Sequence, residues 1–220
     1  MSCIRIIMAL MCIVLAMGTP VGFGPGVHQS CSTLHFVHAS GTFEEPGLGA
    51  TGGPLAIALA NAIPGTTSYG VPYNTTSEFN KTIDGGATMI AQHLHDQMNR
   101  CPDQKFVLSG ASKGAMVIHS TKPDNDIKSK VFVIFVFGDP WRPKDGLDNL
   151  WPIDLPSVNL NPRNGTSTTD NVISFCNVGD SACEIGSVDP NAIPPSHLTY
   201  PIDGSIDISA ALVKSKVQSS

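Results

Sequence analysis

Val131-Phe132-Val133-Ile134-Phe135-Val136-Phe137 is an unbroken apolar run. A strand with one wet face alternates polar and apolar residues, so a run with no polar position marks a strand covered on both faces, as in the middle of a parallel sheet. Residues 104–108 read as a second strand, and 33–37, 68–72 and 171–175 as three more. Between them lie helical patterns over 54–62, 83–99 and 206–217. The middle one carries Ala87, Ile90, Ala91, Leu94 and Met98 on one face at the 3.6 period. Strands alternating with helices predict an α/β chain, a three-layer α/β/α sandwich around a mostly parallel sheet of about five strands, with no large cap domain. At 220 residues and 41% hydrophobic, one such domain buries roughly 70% of its unfolded surface.

The first residues point outside the cytosol. Arg5 precedes an apolar run from Ile6 to Met17, too short to span a bilayer, and Ala16 and Gly18 suit cleavage before Thr19. The expectation is a signal peptide over 1–18, a single domain over 19–220, and secretion. Cys3 and Cys12 leave with that segment. Cys31, Cys101, Cys176 and Cys183 remain, an even set in an oxidising compartment that allows three pairings. Their wide spacing argues against a zinc knuckle, and no metal or cofactor is expected. The formal net charge is −5 with no dense Lys/Arg cluster, which excludes nucleic acid as a partner class. Asn74, Asn80 and Asn164 head glycosylation sequons in loop-like sequence.

Gly110-Ala111-Ser112-Lys113-Gly114 follows the second strand and opens a helix. A serine on such a sharp turn projects its hydroxyl while nearby amides stay free to bind an oxyanion. An ordinary turn serine is the bland reading, so the downstream partners decide. Asp180, between Cys176 and Cys183, supplies an acid; His197, in the stiff Pro194-Pro195-Ser196-His197 segment, supplies a base. Nucleophile, acid, base is the α/β-hydrolase order. Asp139 also follows a strand and rivals Asp180 as the acid, although it equally suits shaping the loop it begins. His28, His35, His38, His93, His95 and His119 all precede the acid, and no H-E-x-x-H occurs.

From about Cys31 to Tyr200, this set resembles the cutinase family of secreted serine esterases, most specifically in the C-x-x-G-D-x-x-C loop followed by a histidine. The resemblance implies Ser112, Asp180 and His197 as the triad, and the pairings Cys31 with Cys101 and Cys176 with Cys183. The elbow geometry assigns the Lys113 amide to the oxyanion hole. The resemblance adds Thr42, in Ala39-Ser40-Gly41-Thr42. Two departures stand out: Ala111 and Lys113 replace the usual tyrosine and glutamine, and Ser40 replaces an arginine. A Lys113 ammonium near His197 would disfavour its protonation.

Gly47-Leu48-Gly49-Ala50-Thr51-Gly52 is a literal G-x-G-x-x-G, but no acid stands about 20 residues on, so a dinucleotide site is set aside. Tyr73, Phe79, Val188, Ile193 and Leu198 are expected to form an apolar substrate rim. The long 139–170 stretch reads either as a lid or as an excursion packed by Trp141 and Trp151. The expected function is hydrolysis of cutin or short-to-medium acyl esters by a monomer through an acyl-enzyme on Ser112. Acetylxylan esterase is the near alternative, and an exported interaction protein with a weak site is the alternative of another class.

Overall fold

Alternate residues of the Val131–Phe137 strand enter two separate cores: Ile134 and Val136 pack on one side, Val133, Phe135 and Phe137 on the other. The absence of polar positions in this run is thus two buried faces read in sequence. The chain, described by a computed structural model over residues 31–142, 151–184 and 194–219, builds six parallel strands. They are β1 (Leu34–Ala39), β2 (Thr67–Gly70), β3 (Lys105–Ala111), β4 (Val131–Phe137), β5 (Val158–Asn159) and β6 (Val172–Phe175), in the order β2-β1-β3-β4-β6-β5. The signal segment expected over 1–18 lies outside the described residues.

Helices α2 (Phe79–Arg100) and α3 (Lys113–Ser120) cover one face with Ile90, Leu94, Val117 and Ile118. Helices α1 (Gly49–Ala62) and α6 (Ser205–Gln218) cover the other with Leu55, Leu59, Leu212 and Val213. Two short helices, α4 (Asn125–Lys128) and α5 (Ser181–Glu184), complete the set among the described residues. The three-layer expectation holds.

The sequence reading differs in detail at α1 and β5. Helix α1 starts at Gly49, inside the glycine-rich run and ahead of the helical pattern over 54–62, because the Glu44 carboxylate accepts the Ala50 amide at 3.0 Å and satisfies the first turn from outside. The sixth strand, β5, lies within the 139–170 stretch and is only two residues long. Its described part is anchored: Trp151 and Ile153 are buried in the α2/α3 core. Trp151 lies 3.9 Å from the His119 ring centroid.

Register places the site. Ala111 pairs with Phe137 and Phe137 with Phe175, while Gly110 pairs with Ala39. Four strand ends therefore stop in one row at the carboxyl edge, where ligands bind in open parallel sheets. The residues next in chain are Ser40, Ser112, Gly138 and Cys176. At the opposite edge, Cys31 is bonded to Cys101, bracing the entries to β1 and β3. Closing a loop of 70 residues is worth about 4 kcal/mol in the chain-entropy account.

Candidate active site

Ser112 is held at φ 52°, ψ −120°, a conformation that costs a non-glycine residue about 1–3 kcal/mol. The surroundings over-determine it: its amide donates to Phe137 O at 2.8 Å and its carbonyl accepts the Ala115 amide at 2.9 Å. The turn is tight enough that a Cβ on Gly114 would stand 1.9 Å from Ala39 O, so only glycine lets α3 start against β1. Ser112 lines a cavity of about 310 Å³ together with Thr42, Glu44, Phe137, His197 and Leu198.

His197 sits in the 3-10 turn Pro195–Leu198, and its Nδ1 lies 2.8 Å and 2.9 Å from the two carboxylate oxygens of Asp180. Asp180 has no exposed surface. Burial alone would raise its pKa, but hydrogen bonds from His197, Tyr200 and the Ala182 amide outweigh that and hold the carboxyl below its ordinary range. The Cys176–Cys183 disulfide closes the loop that carries the acid. Asn177, inside that loop, donates to Ser196 O at 3.0 Å and Thr199 Oγ1 at 2.9 Å, coupling acid loop to base segment. Gly138 has φ 57°, and a Cβ there would come within 2.6 Å of His197 Cε1 and 2.9 Å of Asp180 Oδ2.

Asp139 belongs to another pair. Its Oδ2 lies 2.8 Å from His119 Nε2, both side chains fully buried, and its Oδ1 accepts the Trp141 amide at 2.9 Å. The rival acid thus shapes its own loop, and Asp180 is the carboxylate beside His197.

Thr42 also faces the cavity, and its Oγ1 is buried without a hydrogen-bond partner among the described residues. A buried hydroxyl left unmatched costs about 1–3 kcal/mol, which an incoming acceptor would recover. Lys113 supplies the first amide of α3, directly after Ser112. Glu44, which sequence reasoning passed over, accepts the Gly41 amide at 2.6 Å and so braces the Thr42 loop. Its only sequence signal is an acid shortly before a helix start.

The expected rim is corrected in part. Leu198 lines the cavity and is 68% exposed. Tyr73 is buried and donates to Ser40 O at 2.5 Å, beneath the loop rather than on a rim. Phe79 packs against the α2/α3 core, its ring centroid 5.5 Å from Lys113 Nζ. Val188 and Ile193 lie outside the described residues. Exposed Phe43 and Ile202, next in chain to cavity-lining Thr42 and Pro201, were not anticipated. Among the described residues no three His, Cys, Asp or Glu side chains cluster as a metal site.

Comparison with known proteins places the chain in a family. The family profile named Cutinase matches residues 30–217. A cutinase of Monilinia fructicola is 31% identical over 192 residues, covering 84% of each chain. A cutinase of Kineococcus radiotolerans is 31% identical over 189 residues; the match takes in 80% of this chain and 58% of that longer protein. Among solved structures, the catalytic core of acetyl xylan esterase from Trichoderma reesei superposes with TM-score 0.66 at 21% identity, over 85% of this chain and all of the other. With the profile spanning nearly the whole described chain, the protein belongs to the cutinase family of carboxylic ester hydrolases.

Proposed function

We propose that this chain is a secreted serine esterase acting through an acyl-enzyme on Ser112. The observation that carries the reading is the Asp180–His197 pair opening on the same cavity as a strained serine at a strand end. With Nδ1 bound to Asp180, His197 accepts the Ser112 hydroxyl proton at Nε2 while Oγ attacks the ester carbonyl. The oxyanion takes hydrogen bonds from the Lys113 amide and Thr42, whose orphaned hydroxyl is relieved at that moment. His197 then gives its proton to the departing alcohol as the C–O bond breaks. A water, deprotonated by the same nitrogen, releases the acid and restores Ser112. Asp180 stays ionised throughout and stabilises the imidazolium.

At about 310 Å³ the cavity is at the small end for ligand sites, which suits a short-to-medium acyl group. Exposed Phe43, Leu198 and Ile202 suit a polymeric apolar ester such as cutin. The small cavity and the likeness to an acetyl xylan esterase core favour acetylated polysaccharide as the second reading. Of the two departures behind the weak-site reading, Ser40 and Lys113, the second weighs against it, because the Lys113 ammonium is engaged by the Asn74 and Thr76 carbonyls. The proposal includes removal of residues 1–18, a single domain over 19–220 and a monomer; no described helix is long and apolar enough to cross a membrane.

The test is hydrolysis of p-nitrophenyl esters from acetate to palmitate by the wild type and Ser112→Ala. Loss of turnover in the variant supports the serine esterase, and a wild type no faster than the variant overturns it. Release of hydroxy fatty acids from cutin against acetate from xylan then separates the two substrates.

A further inference from the structure

Lys113 has no exposed surface, although a cation at the first position of α3 faces the positive end of the helix dipole. An ammonium so buried must have its protons met. Its Nζ donates to Asn74 O at 3.1 Å and Thr76 O at 2.5 Å, and lies 5.3 Å from the centroid of the Tyr73 ring. Burial draws its pKa down, and the Glu78 carboxylate opposes that shift.

The two carbonyls flank Thr75, and the loop after β1 hangs on Thr75. The Thr75 hydroxyl donates to Glu44 O at 2.6 Å, and Thr75 O accepts the Phe43 amide at 2.9 Å. Tyr73, on the other side of Asn74, donates to Ser40 O. Residues 40, 43 and 44 are thereby tied to the segment that Lys113 grips, with Thr42 between the ties.

We propose that the Lys113 side chain is a positioning residue for the oxyanion hole: its ammonium orders residues 73–76, and Tyr73 and Thr75 pass that order to the loop carrying Thr42. One residue then sets both donors, its own amide directly and Thr42 through two hydrogen-bonded links. The inference rests on the esterase reading above.

The test compares Lys113→Met, which removes both hydrogen bonds but keeps the amide, with Lys113→Arg, which keeps a cationic donor. Hydrogen exchange over residues 40–46 is measured beside kcat and KM on p-nitrophenyl butyrate. Expected for Lys113→Met are faster exchange there and a kcat about tenfold lower at unchanged KM, largely restored by arginine. In a Thr42→Val background the same change should cost little more, because the two act through one donor. Thr75→Val, with the lysine intact, should reproduce the kcat loss, which covers a Lys113→Met that does not fold. Unchanged exchange over 40–46, a melting temperature that falls while kcat stays, or a full additional loss in the Thr42→Val background each overturns the proposal. A Ser112→Ala enzyme as fast as wild type overturns the esterase reading itself and takes this inference with it; the exchange result tells that failure apart from a slack loop.

Discussion

The Tyr200 hydroxyl donates to Asp180 Oδ2 at 2.5 Å, so the buried acid is held by a phenol as well as by its histidine. Burial, then the Asp180 carboxylate, pushes the phenol pKa up, and it remains a donor at any working pH. Tyr200→Phe leaves Asp180 one donor short. A hydrogen bond to a charged group contributes about 1.5–3 kcal/mol, so kcat/KM on p-nitrophenyl butyrate should fall about tenfold, and the carboxyl pKa should rise. Unaltered kinetics would show that the histidine and the Ala182 amide suffice.

Gly138→Ala should be far more harmful than a glycine-to-alanine change in an ordinary loop. The added methyl would meet His197 Cε1 at 2.6 Å in a backbone conformation, φ 57°, that alanine already resists. An imidazole displaced by about 1 Å loses roughly 100-fold in turnover. Circular dichroism should report the fold retained while kcat collapses; kcat within twofold of wild type would contradict the assigned geometry.

Thr42→Val isolates the hydroxyl from the amide, since the two side chains are similar in shape. The hydroxyl has no partner among the described residues, so its removal should leave stability unchanged or slightly higher. The expected loss is about 100-fold in kcat, the value of one oxyanion donor. Equal melting temperatures with equal kcat would remove Thr42 from the hole.

Acid should destabilise the fold through a histidine pair remote from the site. His35 Nε2 and His93 Nε2 lie 2.8 Å apart, with His93 stacked on Tyr69. Burial, then mutual repulsion, lowers His35 to about 4; burial, then Arg100, lowers His93 to about 4. Between roughly pH 6.5 and 4 the unfolded chain binds more protons than the folded one. Stability is therefore full above 6.5 and is lost as pH falls through that window, by about 3 kcal/mol for His35 alone. His35→Gln should make the fall in melting temperature between pH 7 and 4.5 shallower without abolishing it, since burial lowers His38 to about 3 and adds the same dependence; a slope identical to wild type would place the acid sensitivity elsewhere.

Legibility from sequence followed the range of the forces involved. The strands of a parallel sheet covered on both faces carry their burial in every residue, and β4 was read to its exact ends. The start of α1 was not, because the groups that satisfy its first turn come from Glu44, outside the helix. A two-residue β5 leaves no periodicity to find. Ser112, Asp180 and His197 were legible as candidates because the G-x-S-x-G turn and the cysteine-bounded loop are local patterns, to which the family resemblance adds the roles we propose. Tyr200 and Gly138 could not, since one acts by reaching back 20 residues and the other by lacking an atom. Tyr73 and Phe79 were misplaced because apolar character alone does not say which side of a loop faces solvent.

The two disulfides sit at opposite edges of the sheet, and this divides their duties. Cys31–Cys101 braces the edge where strands enter, away from the candidate site, whereas Cys176–Cys183 encloses Asp180, the acid we propose. Replacing each cysteine pair by serines in turn should thus separate durability from turnover as two independently adjustable properties. Reinforcing the entry edge would lengthen the working life of the protein in a hostile medium without disturbing the alignment on which each catalytic cycle depends.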